Sequence, residues 1–554
     1  MNNKMEIEKL RIEIERLKKE LKKKKKYGLV WEDKPEDVVE MCKEKLPVLK
    51  EIKGKEIITD KNKPMNLLIE GDNYHALSVL NYTHKGKIDV IYIDPPYNTK
   101  QEGFIYNDKR VDLNDGYRHS KWLNFMEKRL ILAKNLLSES GVIFISIDDN
   151  EYAQLKMLCD KILLEKNFIE NFCWNKTQTP PSLSHKSRNN IDYILCYEKN
   201  KNSKKYFGKS SSNSDAPLLN KGNGIKTLYF PIGSIKFNIP DGLYEKGKYG
   251  DIEIIKNFKI KGGINSEIVE MKGEFKWQQS NLENELSNGS YLLIKSKRMS
   301  IRYQKTDDRV NNMLPNKMID SSFGVGTNEY ATKQVKELGL VFSFPKPTSL
   351  ISFLIKMAKY EEKQITILDF FAGSGTTGHA VIELNKADNG NRKFIICTNN
   401  EGRIADDVCY PRIEKVIKGY KNTKKENVAG LGGNLKYFKT DFVDYKESTD
   451  RNKIKLTKEA VEMLCVKEGT FELVQDGGDF KIFKNHDHYT GIIFDQLAIE
   501  DFKKAVKDIK GKISVYIFSL GDDSFEDEFE DIKQKVKLSP IPEAILKVYR
   551  RIYK

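Results

Sequence analysis

Lys87-Ile88-Asp89-Val90-Ile91-Tyr92-Ile93-Asp94-Pro95-Pro96-Tyr97 is a β-branched and aromatic run that ends in an acid and two prolines. Such a run predicts a buried strand, and the prolines end it because neither has an N–H to continue a ladder. The pattern repeats on both sides. Upstream, residues 66–73 are an apolar run broken by Gly71 and Asp72, followed by a helical stretch over 74–84. Downstream come a helix around 119–138 and a third strand, Gly141 to Asp148. Strands alternating with helical stretches predict a parallel α/β sheet.

The alternation lapses and then returns. Residues 200–330 hold many Lys, Ser, Asn and Gly with interleaved aromatics, which predicts an inserted irregular or β-rich domain. After it come a helix near 347–360, a strand over 365–371, a glycine turn, a helix over 377–386 and a strand over 393–398. From about 430 a last stretch has strands at 479–484, 490–494 and 513–520 and an acidic run, Asp522 to Asp531, read as a separate C-terminal domain. At the other end, residues 5–26 read as one charged helix. There Ile7, Leu10, Ile14, Leu17 and Leu21 alternate spacings of three and four, a heptad seam closed by Lys22 to Lys26. A short coiled coil, a helix lying on a partner and a solvated terminal helix all fit. The expected division is therefore 1–60, 61–200, 201–335, 336–430 and 431–554.

The 554 residues carry a net charge of +15, which favours a polyanionic partner, although an AT-rich genome also enriches lysine. The seven cysteines are scattered without CxxC spacing, so neither a disulfide framework nor a zinc site is expected. A reducing cytoplasm fits this usage. The N-terminus is charged and no apolar run approaches the length of a membrane span, so neither secretion nor membrane insertion is expected. His486 and His488 flank Asp487, but a metal site needs a further ligand and none is nearby.

Asp94 is expected at the carboxyl end of its strand, where open α/β sheets place their sites. An exocyclic amine is a poor nucleophile because its lone pair is delocalised into the ring. Two fixed acceptors, the Asp94 carboxylate and the Pro95 carbonyl, can hold its two N–H groups so that the lone pair points outward. Pro96 stiffens the turn, and Tyr97 offers a face for stacking an extruded base. In the second half, Asp369-Phe370-Phe371-Ala372-Gly373-Ser374-Gly375-Thr376-Thr377-Gly378 follows a strand and precedes a helix. Its glycines permit close backbone approach to a ligand, and the helix offers free N–H groups. It is neither a Walker A loop nor a full GxGxxG. With its aromatics and Thr-Thr it suggests a methionine-bearing nucleotide. Glu401, beyond the strand ending at Thr398, is the candidate acceptor for ribose hydroxyls, with an ordinary surface acid as the alternative.

These pieces carry a family resemblance. Asp94-Pro95-Pro96-Tyr97-Asn98-Thr99, Phe344-Pro345-Lys346-Pro347 and the glycine motif occur in that order, and the chain resembles amino-methyltransferases of the β-type circular order, most of all the Mod subunits of type III restriction–modification systems. The resemblance spans roughly 60–440. It implies a circularly permuted, Rossmann-like α/β sheet with an inserted target-recognition domain, and S-adenosylmethionine as cofactor. The strand at 365–371 becomes the first, 66–73 the third and 87–94 the fourth. Asp72 and Asn73 are then expected at the cofactor adenine, and Phe371, Gly373 and Gly375 along its methionine part, with Asp369 and Thr377 in the same motif. Lys346 is a candidate for that pocket.

The resemblance also makes double-stranded DNA the partner of the insertion. Lys204, Lys205, Lys209, Lys295, Lys297, Arg298, Arg302 and Lys305 can neutralise phosphates there, and Trp277, Tyr291 and Tyr303 offer stacking faces. With no helicase or nuclease pattern, restriction requires a separate subunit, for which the two ends of the chain are docking surfaces, or for a second copy in a homodimer. Adenine N6 is the expected target. Cytosine N4, an RNA substrate and a catalytically silent DNA-binding scaffold are the alternatives.

Overall fold

The computed structural model describes residues 13–14, 31, 35–99, 105–106, 109–110, 115–179, 186–210, 215–304, 312–445, 449–486, 488–521, 523 and 525–553. Of the heptad seam only Ile14 is among them, within a helical pair; Lys305, Asp487 and Asp522 also lie outside. The chain divides into two compact units, residues 1–204 with 316–554, and residues 205–315.

The larger unit is built on an eleven-stranded sheet. Its strands are β1 (Lys45–Glu51), β2 (Met65–Glu70), β3 (Ile88–Ile93), β4 (Leu137–Ile147), β5 (Phe168–Asn175), β6 (Ile191–Glu198), β7 (Met318–Ile319), β8 (Thr366–Asp369), β9 (Lys393–Thr398) and β10 (Asn434–Asp444), with Ile57–Ile58 beside β10. Their order across the sheet is β1-β10-β2-β9-β8-β3-β4-β6-β5-β7. From β10 to β4 all pairs are parallel, and β4, β6 and β5 pair antiparallel. The central strands are covered on both faces, which is why they read as unbroken apolar runs. Two distant stretches of chain thus interleave: Leu368 of β8 faces Ile91 of β3, and Ile395 of β9 faces Leu67 of β2. This is the permuted order expected, with β8 first, β2 third and β3 fourth.

Helices α1 (Asn73–Thr83), α2 (Arg118–Leu136), α3 (Tyr152–Cys159), α4 (Thr348–Ala358), α5 (Thr376–Asp388) and α6 (Tyr410–Lys418) belong to the same unit. Among the described residues no helix is long and apolar enough to cross a membrane.

Three expected boundaries differ. Within 1–60, Lys45–Glu51 is a strand, because Leu46, Val48 and Leu49 bury in the main core while β1 pairs antiparallel with β10. Residues 316–335, assigned to the insertion, belong to the larger unit: β7 extends β5 in parallel, and the Trp174 indole donates to the Gly326 carbonyl at 3.1 Å. The stretch from 431 does not stand apart either. It begins with β10 in the main sheet, and its last helix, Glu543–Ile552, sends the Tyr549 hydroxyl to the Pro47 carbonyl at 2.5 Å. That stretch also carries a five-stranded sheet with a core of its own around Ile482, Phe502, Val515 and Phe529.

Among its described residues the smaller unit is β-rich, with a seven-stranded and a four-stranded sheet and one helix, Gln279–Ser287. Leu228, Phe230, Ile254, Phe258, Phe275 and Ile294 bury in its core.

Candidate active site

Strands β8 and β3 are neighbours, so their carboxyl ends bring Asp369 and Asp94 to the same edge of the sheet. In open α/β sheets, the point where chain connections depart in opposite directions is where ligand crevices form. Asp94 continues into Pro95-Pro96-Tyr97. The Trp122 indole of α2 donates to the Pro96 carbonyl at 2.7 Å, which fixes the turn from outside. Tyr97 donates its hydroxyl to Asp192 at 3.4 Å, and Asp192 is in turn paired with Lys176 at 2.8 Å. The ring of Tyr97 is thereby tethered at one edge.

Lys346 does not join the cofactor residues as expected. Its buried Nζ donates to both carboxylate oxygens of Asp94, at 2.8 Å each, and lies 4.8 Å from the centre of the Tyr97 ring. The Pro345-Lys346-Pro347 run explains the reach: Pro347 caps α4, and the extended backbone before the helix carries Lys346 over the end of β3. An ammonium at this distance orients the carboxylate, while its remaining lone pairs can still accept other donors.

Beyond Asp369 the chain makes the glycine turn. The buried Asp369 carboxylate accepts from Thr377 Oγ1 at 2.5 Å and from the Phe371 amide at 2.9 Å, and burial raises its pKa to about 7. Gly373 and Gly375 have φ of 48° and 78°, conformations that L side chains rarely adopt. A Cβ on Gly375 would lie 3.1 Å from Cys409 Sγ, and one on Gly373 would lie 3.3 Å from the Phe342 ring. Arg412, fully buried on α6, ties the turn from beneath by donating to Ser374 Oγ and Thr376 Oγ1 at 2.9 Å each.

The third-strand residues meet this turn directly. Asp72 caps α1 by accepting from the Tyr74 amide at 2.7 Å, and Asn73 Nδ2 donates to the Phe370 carbonyl at 3.1 Å. Both are held by Arg129 of α2, whose fully buried guanidinium reaches Asp72 at 3.4 Å, Asn73 Oδ1, and Glu36 at 2.7 Å. Phe125, one turn earlier on α2, lies 5.8 Å from Phe371. Of the residues expected at the cofactor, Glu401 also lies apart: it is exposed and opens the turn Glu401–Arg403 after β9.

The turn of positive-φ glycines, the capped Asp72 and the Phe371 face form a cradle that suits a sulfonium nucleoside. A model of the family described as DNA methylase (N6_N4_Mtase) matches residues 88–408. The chain belongs to the DNA methylase family. It is 32% identical over 388 residues to the type III restriction-modification enzyme StyLTI Mod subunit of Salmonella typhimurium, covering 64% of this chain and 56% of that protein. To the EcoPI Mod subunit of Escherichia phage P1 it is 30% identical over 442 residues, covering 68% and 66%. To the type II methyltransferase M.KpnI of Klebsiella pneumoniae it is 29% identical over 403 residues, covering 68% and 88%. This methylase chain therefore spans between 56% and 66% of the length of the two Mod subunits.

Several residues of the site escape sequence reasoning. Arg129 leaves one signal, a lone arginine among Phe125, Met126 and Leu130 on an apolar helix face. Glu151 leaves less. It is fully buried behind Asn98, its Oε1 accepting from Asn98 Nδ2 at 2.5 Å and lying 2.7 Å from His119 Nδ1, and burial raises its pKa to about 8. Asn98 itself has a φ of 53°, so Glu151 braces the backbone just after Tyr97.

Proposed function

We propose that this chain is a site-specific DNA methyltransferase that acts on the N6 amine of an adenine extruded from the duplex, and serves as the modification and specificity subunit of a restriction–modification system. The observation that carries the reading is the adjacency of Asp94 and the glycine turn at the ends of two paired strands, one end suited to an amine and the other to a methyl donor. S-adenosylmethionine, when bound, supplies a methyl on a positively charged sulfur that leaves neutral. Phe371, Gly373, Gly375, Asp369 and Thr377 would hold its methionine part and Asp72 and Asn73 its adenine. Arg129 keeps those two in place.

Tyr97 stacks against the extruded base, which must leave the helix to be reached. Asp94 and the Pro95 carbonyl accept the two amine N–H bonds and turn the lone pair outward. When the new N–C bond forms, the amine must lose a proton, and Asp94 accepts it. Lys346 orients Asp94 for this step and steadies the negative side of the site.

Residues 205–315 are assigned the reading of sequence on duplex DNA. In this unit Lys295 and Arg302 are already paired with Asp215, at 2.9 and 2.6 Å, so Lys297 and Arg298 are the stronger phosphate candidates. Trp277 and Tyr303 already pack on each other, their ring centres 4.4 Å apart and their planes tilted by 44°. DNA cleavage belongs to a separate restriction subunit, and the chain works as a homodimer. The decisive experiment transfers labelled methyl from S-adenosylmethionine to host-free DNA and identifies the modified nucleoside. N6-methyladenine is expected, and absent with Asp94→Ala. N4-methylcytosine alone would overturn the choice of base, and DNA binding without transfer would leave only a scaffold.

A further inference from the structure

At the amino ends of the same parallel strands, opposite Asp94, the larger unit opens a cleft of about 1120 Å³. Six-residue strands such as β2 and β3 span roughly 20 Å, so the cleft lies well apart from the site described above. Met65 at the start of β2, Ile365 just before β8, Val466 and Phe471 are among its lining residues. This gives the cleft an apolar floor.

Its charge is one-sided. Among the described residues the lining holds seven lysines against three glutamates. All three glutamates are engaged: Glu56 pairs with Lys436 at 2.6 Å and Glu472 with Lys484 at 3.1 Å. Glu468 accepts from Tyr516 at 2.6 Å and Ser514 at 2.8 Å. Lys61, Lys63, Lys87, Lys393 and Lys467 have no carboxylate within ion-pair distance among the described residues. Three of these gather at one place. Lys87 and Lys393 both bear on His84, which burial and these cations drive down to about 3. Lys467, lying 4.3 Å over the Tyr82 ring, is lowered to about 8 by burial, with Lys87 adding to the effect.

Unpaired ammonium groups gathered in one concave, partly apolar wall repel one another; an anion seated among them relieves the repulsion. Lysine is a point-charge donor suited to phosphate oxygens, and the apolar floor suits a flat ring. We propose that this cleft binds a nucleotide, with its phosphates on Lys87, Lys393 and Lys467 and its base against Met65, Ile365 and Phe471. The same chemistry is offered by a free nucleoside triphosphate and by the phosphorylated end of a nucleic-acid strand.

The test is isothermal titration calorimetry on the full chain at low salt. The titrants are adenosine triphosphate, tripolyphosphate, a 5′-phosphorylated single-stranded tetranucleotide and hexaglutamate. Binding of adenosine triphosphate tighter than tripolyphosphate supports a free nucleotide; binding of the tetranucleotide with a weaker triphosphate supports a strand end. Lys87→Gln with Lys393→Gln, both exposed positions, should raise the Kd of the bound nucleotide roughly tenfold or more. Donor binding should be unchanged, since neither residue touches the carboxyl-end site, and the melting temperature should not fall, since the substitutions remove repulsion. The proposal is overturned if no phosphate ligand binds at about 1 mM, if hexaglutamate binds as tightly, or if the double variant binds like the parent.

Discussion

Replacing Gly375 by alanine tests whether the glycine turn is a preformed donor cradle. Gly375 holds a φ of 78°, and its amide donates to the Ala372 carbonyl at 2.8 Å, closing the turn just before α5. An alanine there meets two separate penalties. A left-handed conformation costs an L-residue about 1–2 kcal/mol. The added Cβ also lies 3.1 Å from Cys409 Sγ and 3.4 Å from its carbonyl oxygen, so the residue that leads into α6 must yield by a few tenths of an ångström. If the turn relaxes to escape both, its backbone retreats from the donor, and a loss of about 1.4 kcal/mol raises the donor Kd roughly tenfold. Calorimetric titration with S-adenosylmethionine measures this directly. Turnover at saturating donor should fall far less than the affinity, because Asp94 and Tyr97 are untouched. Adding Cys409→Ala should recover only the contact part and leave the conformational part. Unchanged donor affinity, or turnover lost at full affinity, would refute the cradle.

Asp94→Ala should lower methyl transfer by about two to four orders of magnitude while donor affinity stays within a few fold, read by single-turnover transfer and calorimetry. Lys346→Met should reduce turnover more than donor affinity, since its ammonium sits on Asp94; an effect on affinity alone would return Lys346 to the cofactor pocket. Arg129→Leu strands Asp72 and the buried Glu36 without a counter-charge and should cost about 3–5 kcal/mol, measured by denaturant unfolding. Glu151 is raised from 4.5 to about 8 by burial, so folding takes up a proton between those values. Its contribution to stability is complete below the lower value and is lost as pH rises through the upper one. Glu151→Gln keeps the neutral shape throughout, and should melt like the parent at about pH 5 and above it at about pH 9.

Strand β3 and its terminal acid are legible in the chain because a strand buried on both faces leaves an uninterrupted apolar run, and the order of the two motifs is enough to permute the sheet. Features that depend on distance in space escape. Lys346 and Asp94 are 252 residues apart, and only the pairing of β8 with β3 brings them together. Arg129 stands out as a lone cation on an apolar helix face, but its partners Glu36 and Asp72 are set only by the fold. The far edge of the insertion is hard to place because β7 is two residues long, too short to show a period. Strand β10 reads as part of the C-terminal stretch, although its hydrogen bonds run to β2, more than 360 residues earlier.

The smaller unit is closed at its root by a short ladder. Lys209 and Ser210 pair antiparallel with Met313 and Asn312, and the Gly208 amide donates to the Met313 carbonyl at 2.7 Å. Entry and exit of the unit therefore stand side by side, like the two wires of a plug. A recombination event with crossovers at these two points exchanges everything between them and leaves every strand of the main sheet in register. In a lineage of such chains, the segment from 209 to 313 is free to be traded wholesale, while the flanking halves must descend together.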